Sequence, residues 1–144
     1  KDVLLKSAFL HDVLEDTDLT KKEISSQFGD VIANIVNELT DEKCNDAISN
    51  EYIDKIKNAS EQARLVKLAD LFDNISTATR TISDNGLEWT SGFFFSRVDK
   101  MTEEILRTSF LKYPKTATFL KENLKLAKYL FNKELSAWKS KDNQ

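Results

Sequence analysis

The sequence predicts an all-α protein. Turn chemistry is scarce, with one proline and three glycines among 144 residues. Long stretches instead carry apolar residues three and four apart, the period of an amphipathic helix. A chain of this length reads as one domain with one sizeable core.

Residues 2–16 carry Val3, Leu4, Leu5, Ala8, Phe9, Leu10, Val13 and Leu14. They read as a helix apolar on most sides, buried in the middle of the domain. The same stretch holds His11, the only histidine, with Asp12, Glu15 and Asp16. On one helix, His11 and Glu15 stand four apart, as do Asp12 and Asp16. Neighbouring turns then offer an imidazole and three carboxylates to one small volume. Burying such groups is costly without a partner, which is a physical reason to expect a bound cation.

Thr20-Lys21-Lys22-Glu23 is a capping box opening a short helix, which closes at Phe28-Gly29 with Gly suited to a left-handed cap. Asp30 starts the next helix, with Val31, Ile32, Ile35, Val36 and Leu39 as its apolar stripe. Residues 41–59 are polar and read as a loop with one short helix from Glu51 to Lys57. Ser60 is the N-cap of a long helix through Thr81, striped by Leu65, Leu68, Phe72 and Ile75. Another face of that helix carries Lys67, Asp70 and Asn74. Ser83-Asp84-Asn85-Gly86 reads as a turn. A helix from Phe94 to Phe110 points Phe94, Val98, Met101 and Ile105 inward. Pro114 stops it or starts the next. The last helix, over 115–139, aligns Leu120, Leu124, Ala127, Phe131, Leu135 and Trp138. That stripe allows packing on the domain and self-association alike. Residues 140–144 read as a frayed polar tail. There is no internal repeat and no low-complexity segment.

Net charge is −3 with no basic block, which argues against a nucleic-acid footprint but allows a small anionic substrate. Cys44 is alone, so no intramolecular disulfide forms, which fits a reducing cytoplasm. No apolar run is long enough for a membrane span and no signal-peptide pattern is present. The chain begins Lys1-Asp2-Val3 without Met, inside an apolar-periodic segment. We expect an N-terminal part of the protein to precede it.

Three segments carry a resemblance. HDVLEDT at 11–17, FGDVIANIVNELTD at 28–41 and LVKLADLFDN at 65–74, in that order, resemble the HD-domain metal phosphohydrolases. They most resemble the hydrolase domain of the RelA/SpoT alarmone enzymes and the animal-type stand-alone alarmone hydrolases. The likeness covers residues 2–108. It implies an HD-type domain over 1–111, with 112–144 a C-terminal helical extension packed on the same domain.

The resemblance also implies a helical bundle holding one divalent ion, usually manganese, with two His and two Asp. Carried over, His11, Asp12 and Asp70 are ligands, and the remaining ligand is an upstream His. This chain has no second histidine. Either that ligand lies in the preceding part, or the protein has lost it and holds metal weakly. Glu15 and Asp16 match the acidic pair that works with the metal-activated water, Glu15 as main acid/base group and Asp16 as its partner. A divalent ion lowers the pKa of a bound water, and a nearby carboxylate can move its proton. Asn74 and Arg97 match substrate contacts, and Lys67 is placed to meet a phosphate or to pair with Asp70.

The implied function is removal of the 3′-pyrophosphate of ppGpp or pppGpp, giving GDP or GTP and pyrophosphate. Asp73 and Met101 depart from the family pattern at positions expected near the nucleotide, which motivates another nucleotide as the alternative substrate. The single histidine motivates a different alternative, a degenerate domain serving as a binding module. Taken alone, His11 reads first as an ordinary core histidine, and Asp12, Glu15, Asp16 and the Asp70 segment reverse that order; Lys67 and Arg97 read equally as solvated or paired cations and as phosphate contacts. Phe93-Phe94-Phe95 reads as core before it reads as a base-stacking platform, and Trp89 reads as packing.

Overall fold

The computed structural model describes residues 2–43 and 47–142. Among these residues the protein is all-α, with helices joined by turns and short loops. Cys44 lies outside the described residues, as do Asn143 and Gln144 of the expected tail.

The helix expected over 2–16 is broken at its most polar point. Helix α1 spans Asp2–Leu10 and α2 spans Val13–Asp16. His11-Asp12 forms the turn between them, with Asp12 at φ −97° and ψ −1°. The His11 side chain supplies the cause. Its Nδ1 donates to the Ala8 carbonyl at 2.8 Å, an acceptor that a continuing helix would use for a backbone N–H. Nor is α1 buried all round. Only Ser7 is buried, while Leu5 is 58% and Phe9 82% exposed. One face packs on the later helices α4 and α6, and the opposite face meets solvent.

Helix α3 (Lys21–Phe28) begins at the expected capping box, both bonds of which form between Thr20 and Glu23. Gly29 has the expected positive φ, 89°, but ψ of 159° turns the chain directly into α4 (Asp30–Leu39) instead of a left-handed cap. Ile32, Ile35, Val36 and Leu39 face inward, while Val31 stays exposed. Helix α5 (Asn50–Asn58) is capped by Ser49, whose oxygen accepts from Tyr52 N at 3.1 Å.

Helix α6 (Glu61–Asn85) is the central strut. Ser60 caps it as expected, accepting from Ala63 N at 3.2 Å. It runs through the turn expected at 83–86 and stops only at Gly86, φ 83°. Its core stripe is Leu65, Leu68, Leu71, Ile75, Ala78 and Ile82. Leu71 replaces the expected Phe72, which lies off the stripe and is partly exposed. Alternating three- and four-residue steps keep a position on one helix face, and Leu71 fits that rhythm.

The helix expected from Phe94 to Phe110 starts earlier, ends earlier and is interrupted. Helix α7 spans Leu87–Phe93, a π turn spans Phe94–Val98, and α8 spans Asp99–Leu106. Phe94, Val98, Met101 and Ile105 are buried as the spacing predicts. Pro114 starts α9 (Pro114–Asp142), which extends past the expected end. Its Leu124, Ala127, Phe131 and Leu135 join the same core as α6, and Phe131 stacks on Phe94 at 4.1 Å. The Glu61 carboxylate accepts from Leu111 N and Lys112 N, both at 2.8 Å, and so ties the start of α9 to the start of α6. Between α1, α6 and α9 runs an open apolar groove of about 710 Å³, lined by Leu4, Leu5, Leu65, Val66 and Leu120 among others. No helix among the described residues is long and apolar enough to cross a membrane.

Candidate active site

A face of α6 beside its core stripe carries Lys67, Asp70 and Asn74, spaced three and four apart. The α1–α2 turn, the end of α4 and the π turn close around it. They form a cleft of about 220 Å³ lined by Asp12, Glu15, Asp16, Lys67, Asp70, Asn74 and Arg97, with further residues considered below. Seven of the eight residues singled out in the sequence therefore line one cavity, although they span residues 12 to 97. His11, the eighth, stands behind the wall, touching two of them.

His11 is aimed by its backbone contact. With Nδ1 donating to Ala8, the other ring nitrogen faces the carboxylates. His11 Nε2 lies 2.9 Å from Asp12 Oδ2 and 3.3 Å from Asp70 Oδ1. It is buried, yet neither approach has the direction of a hydrogen bond. The carboxylates of Asp12 and then Asp70 push the imidazole up to about 10, against the opposing effect of burial.

Asp70 is the hub. Its Oδ2 accepts from Lys67 Nζ at 2.8 Å and its Oδ1 accepts from Asn74 Nδ2 at 2.9 Å. Burial favours the neutral acid, but the charge of Lys67 and the His11 contact win and hold Asp70 below the usual carboxylate range. Lys67 is raised reciprocally. Burial works against its charge, and Asp70 outweighs it. The Lys67 ammonium also stands 5.5 Å from the Tyr52 ring centroid. Of the two readings given to Lys67, the structure shows the pair with Asp70.

Glu15 and Asp16 approach the same cleft from α2. Glu15 is half-buried, and its Oε1 accepts from the backbone N–H of Asp41 at 2.6 Å. Burial raises its pKa above the ordinary glutamate value, with the Asp41 amide opposing. Asp16 is exposed. The Asp41 side chain is buried, and its Oδ2 lies 3.7 Å from Arg97. One residue thereby fixes the carboxylate of Glu15 through its amide and sits beside the guanidinium of Arg97 through its carboxylate.

Asp41, Tyr52 and Phe93 line the cleft and were not singled out as site residues in the sequence. Asp41 reads there as the polar end of a helix; its place in NELTD, just after a strongly striped helix, was the available signal. Two expected contacts move away. Met101 is fully buried in the core, and Asp73 faces solvent; neither lines the cleft. The alternation that carries Asn74 into the cleft carries Asp73 out of it.

The donor set suits a divalent ion in part. Imidazole nitrogen and carboxylate oxygen are donors for manganese, zinc or iron alike. Nε2 is a buried polar atom without a hydrogen bond, flanked by two carboxylate oxygens, and its ring is held from behind as metal-bound histidines are. Among the described residues, no three His, Cys, Asp or Glu side chains stand spaced as a ready ligand set. His11, Asp12 and Asp70 meet pairwise at the imidazole, with Lys67 on the far oxygen of Asp70. They bring the donor types of such a site together without the spacing of a ligand set.

No family model matches the chain, and no solved structure matches it. Curated relatives do. A guanosine-3′,5′-bis(diphosphate) 3′-pyrophosphohydrolase MESH1 of Danio rerio is 39% identical over 79 residues, covering 54% of this chain and 44% of that protein. The protein of the same name from Xenopus tropicalis is 31% identical over 108 residues, 74% of this chain and 60% of that protein. A guanosine-3′,5′-bis(diphosphate) 3′-pyrophosphohydrolase of Aquifex aeolicus is 37% identical over 87 residues, 49% of this chain and 11% of that protein. The chain spans about half the length of the MESH1 relatives it matches.

Proposed function

We propose that this chain, which resembles the animal-type alarmone hydrolases over its HD segments, hydrolyses the 3′-pyrophosphate of guanosine tetra- or pentaphosphate. The observation that supports it most is the convergence of Asp12, Glu15, Asp70, Asn74 and Arg97 on one cleft from separate helices. In this reading His11, Asp12 and Asp70 hold one divalent ion, manganese by analogy with the family. When bound, that ion supplies an activated water and neutralises charge on phosphoryl oxygens. The cleft has need of that charge. Its wall carries five carboxylates (Asp12, Glu15, Asp16, Asp41 and Asp70) against Lys67 and Arg97, a poor host for a polyphosphate without added positive charge.

Water adds to the phosphorus attached to the ribose 3′-oxygen, and the bond from that phosphorus to the 3′-oxygen breaks. Glu15 takes a proton from the water and returns one to the departing oxygen; its raised pKa suits both halves of the task. The Asp41 amide keeps Oε1 oriented through the exchange. Arg97 turns from Asp41 toward the incoming phosphates, and Asn74 keeps its amide oxygen for the sugar while its nitrogen steadies Asp70. Lys67 holds Asp70 ionised, so that Asp70 remains a ligand and never a proton donor. We place the reaction in the cytoplasm, where a nucleotide pool meets a chain with a single cysteine.

The test is direct. Incubated with ppGpp and manganese chloride, the protein releases pyrophosphate; none released, while a known hydrolase releases it, ends this reading. A second reading, a non-catalytic nucleotide-binding module, is favoured by the single histidine and by Lys67 already neutralising Asp70. Binding of ppGpp without turnover identifies it. The alternative of a different nucleotide loses its motive, because Asp73 and Met101 stand outside the cleft.

A further inference from the structure

The three consecutive phenylalanines meet three different fates. Phe94 is buried against Phe131, Phe95 is exposed, and Phe93 is half-buried and lines the cleft. Phe93 does not line it alone. Trp89, one helical turn earlier, lies parallel to it, ring centroids 5.6 Å apart and planes 3° apart. That is an offset stack, and it fixes the plane of the Phe93 ring. Trp89 is itself 58% exposed, so a bulky indole is kept at the surface where core packing does not explain it.

The π turn adds a second, independent feature. Pairing residues five apart, as in the bond from Asp99 N–H to Phe94 O, brings positions i and i+5 toward one face. In a regular α-helix, Phe93 and Arg97 would share a face while Val98 turned away from it. Here Phe93, Arg97 and Val98 all line the cleft. The turn also leaves the Ser96 carbonyl to accept from Ile48 N at 2.9 Å, which pins the turn to the segment leading into α5. An apolar ring face, its orientation braced, is thereby held on the same wall as a guanidinium. Asp12, Glu15 and Asp16 reach the same cleft from the α1–α2 segment.

We propose that Phe93, braced by Trp89 and presented by the π turn, is the stacking surface for the heterocyclic base of a nucleotide whose phosphates reach Arg97. This rests on the reading of the cleft as a nucleotide site and adds the place of the base within it. It makes the substrate class a nucleoside phosphate as opposed to an inorganic or sugar polyphosphate. Base–aromatic stacking is sequence-tolerant and strong enough to be read from one substitution.

Trp89 reports the test. In a Trp138→Phe background Trp89 is the one tryptophan, read by excitation at the red edge where tyrosine does not absorb, and GDP is titrated against inorganic pyrophosphate as the base-free control. GDP is expected to change Trp89 emission and to bind about tenfold more weakly to Phe93→Leu, which keeps the apolar volume but loses the ring. Phe93→Tyr restores the affinity, and pyrophosphate binds all three proteins alike. Equal GDP affinity in wild type and Phe93→Leu, or no GDP binding to the wild type, overturns the proposal. Phe93-dependent binding of GDP without release of pyrophosphate from ppGpp would leave it standing while removing the hydrolase reading.

Discussion

Asp70 and Lys67 show how much depends on single side chains in this cleft. Both are largely buried, and each is the other's main counter-charge. Asp70→Ala leaves a buried ammonium unpaired, which costs about 3–5 kcal/mol, read as a lower urea midpoint. Adding Lys67→Met should recover most of that stability while activity stays lost, so the double variant separates folding from function. Glu15 carries the pH dependence. It acts as a base only when ionised, and burial holds its pKa above the ordinary value. The acid limb of kcat therefore lies at higher pH than an exposed glutamate would give. Glu15→Gln should lower kcat by about 10²- to 10⁴-fold and remove that limb; an unchanged limb in the residual activity would assign it to another group.

At the scale of elements, the long helices follow their own chemistry and are legible from it. The Thr20–Glu23 box, Ser60, Gly29 and Pro114 each mark a boundary through a local rule that the structure obeys. α6 runs through the turn signal at 83–85, and two other departures fall where no local signal exists. The break at His11-Asp12 has no proline or glycine; there the His11 side chain reaches the Ala8 carbonyl and meets the Asp70 carboxylate brought from α6. The π turn is equally silent, since the same residues satisfy a regular helical stripe. For the site, the resemblance picked out residues that the fold brings to one cleft, whereas Asp41 and Phe93 enter through tertiary contacts that spacing does not encode. Ser60 allows a clean check of an element. Its hydroxyl caps α6 and also donates to Glu38 at 2.5 Å, joining α4 to α6. Ser60→Ala should cost about 1–2 kcal/mol in chemical denaturation. KM for ppGpp should stay unchanged, because neither Ser60 nor Glu38 lines the cleft.

For the whole molecule, α9 is part of the core and no appendage. Phe131 is fully buried, stacked on Phe94 one residue from the cleft-lining Phe93. Phe131→Ala should cost about 3–5 kcal/mol, a large share of the roughly 5–15 kcal/mol that holds such a domain together. Ending the chain at Lys112 should abolish the cooperative thermal transition, since it strips Leu124, Phe131 and Leu135 from α6. The open groove beside α1 has a consequence for handling the protein. With Leu5 bare along it and Phe9 exposed on the same helix, the folded state offers an oily surface to fluorescent dyes such as ANS. Dye-based melting curves should start from a bright baseline and dim on heating. Read by habit, that trace would pass for a molten globule; a sharp near-ultraviolet dichroism signal from the stacked Trp89 in the same sample would show it to be the native fold.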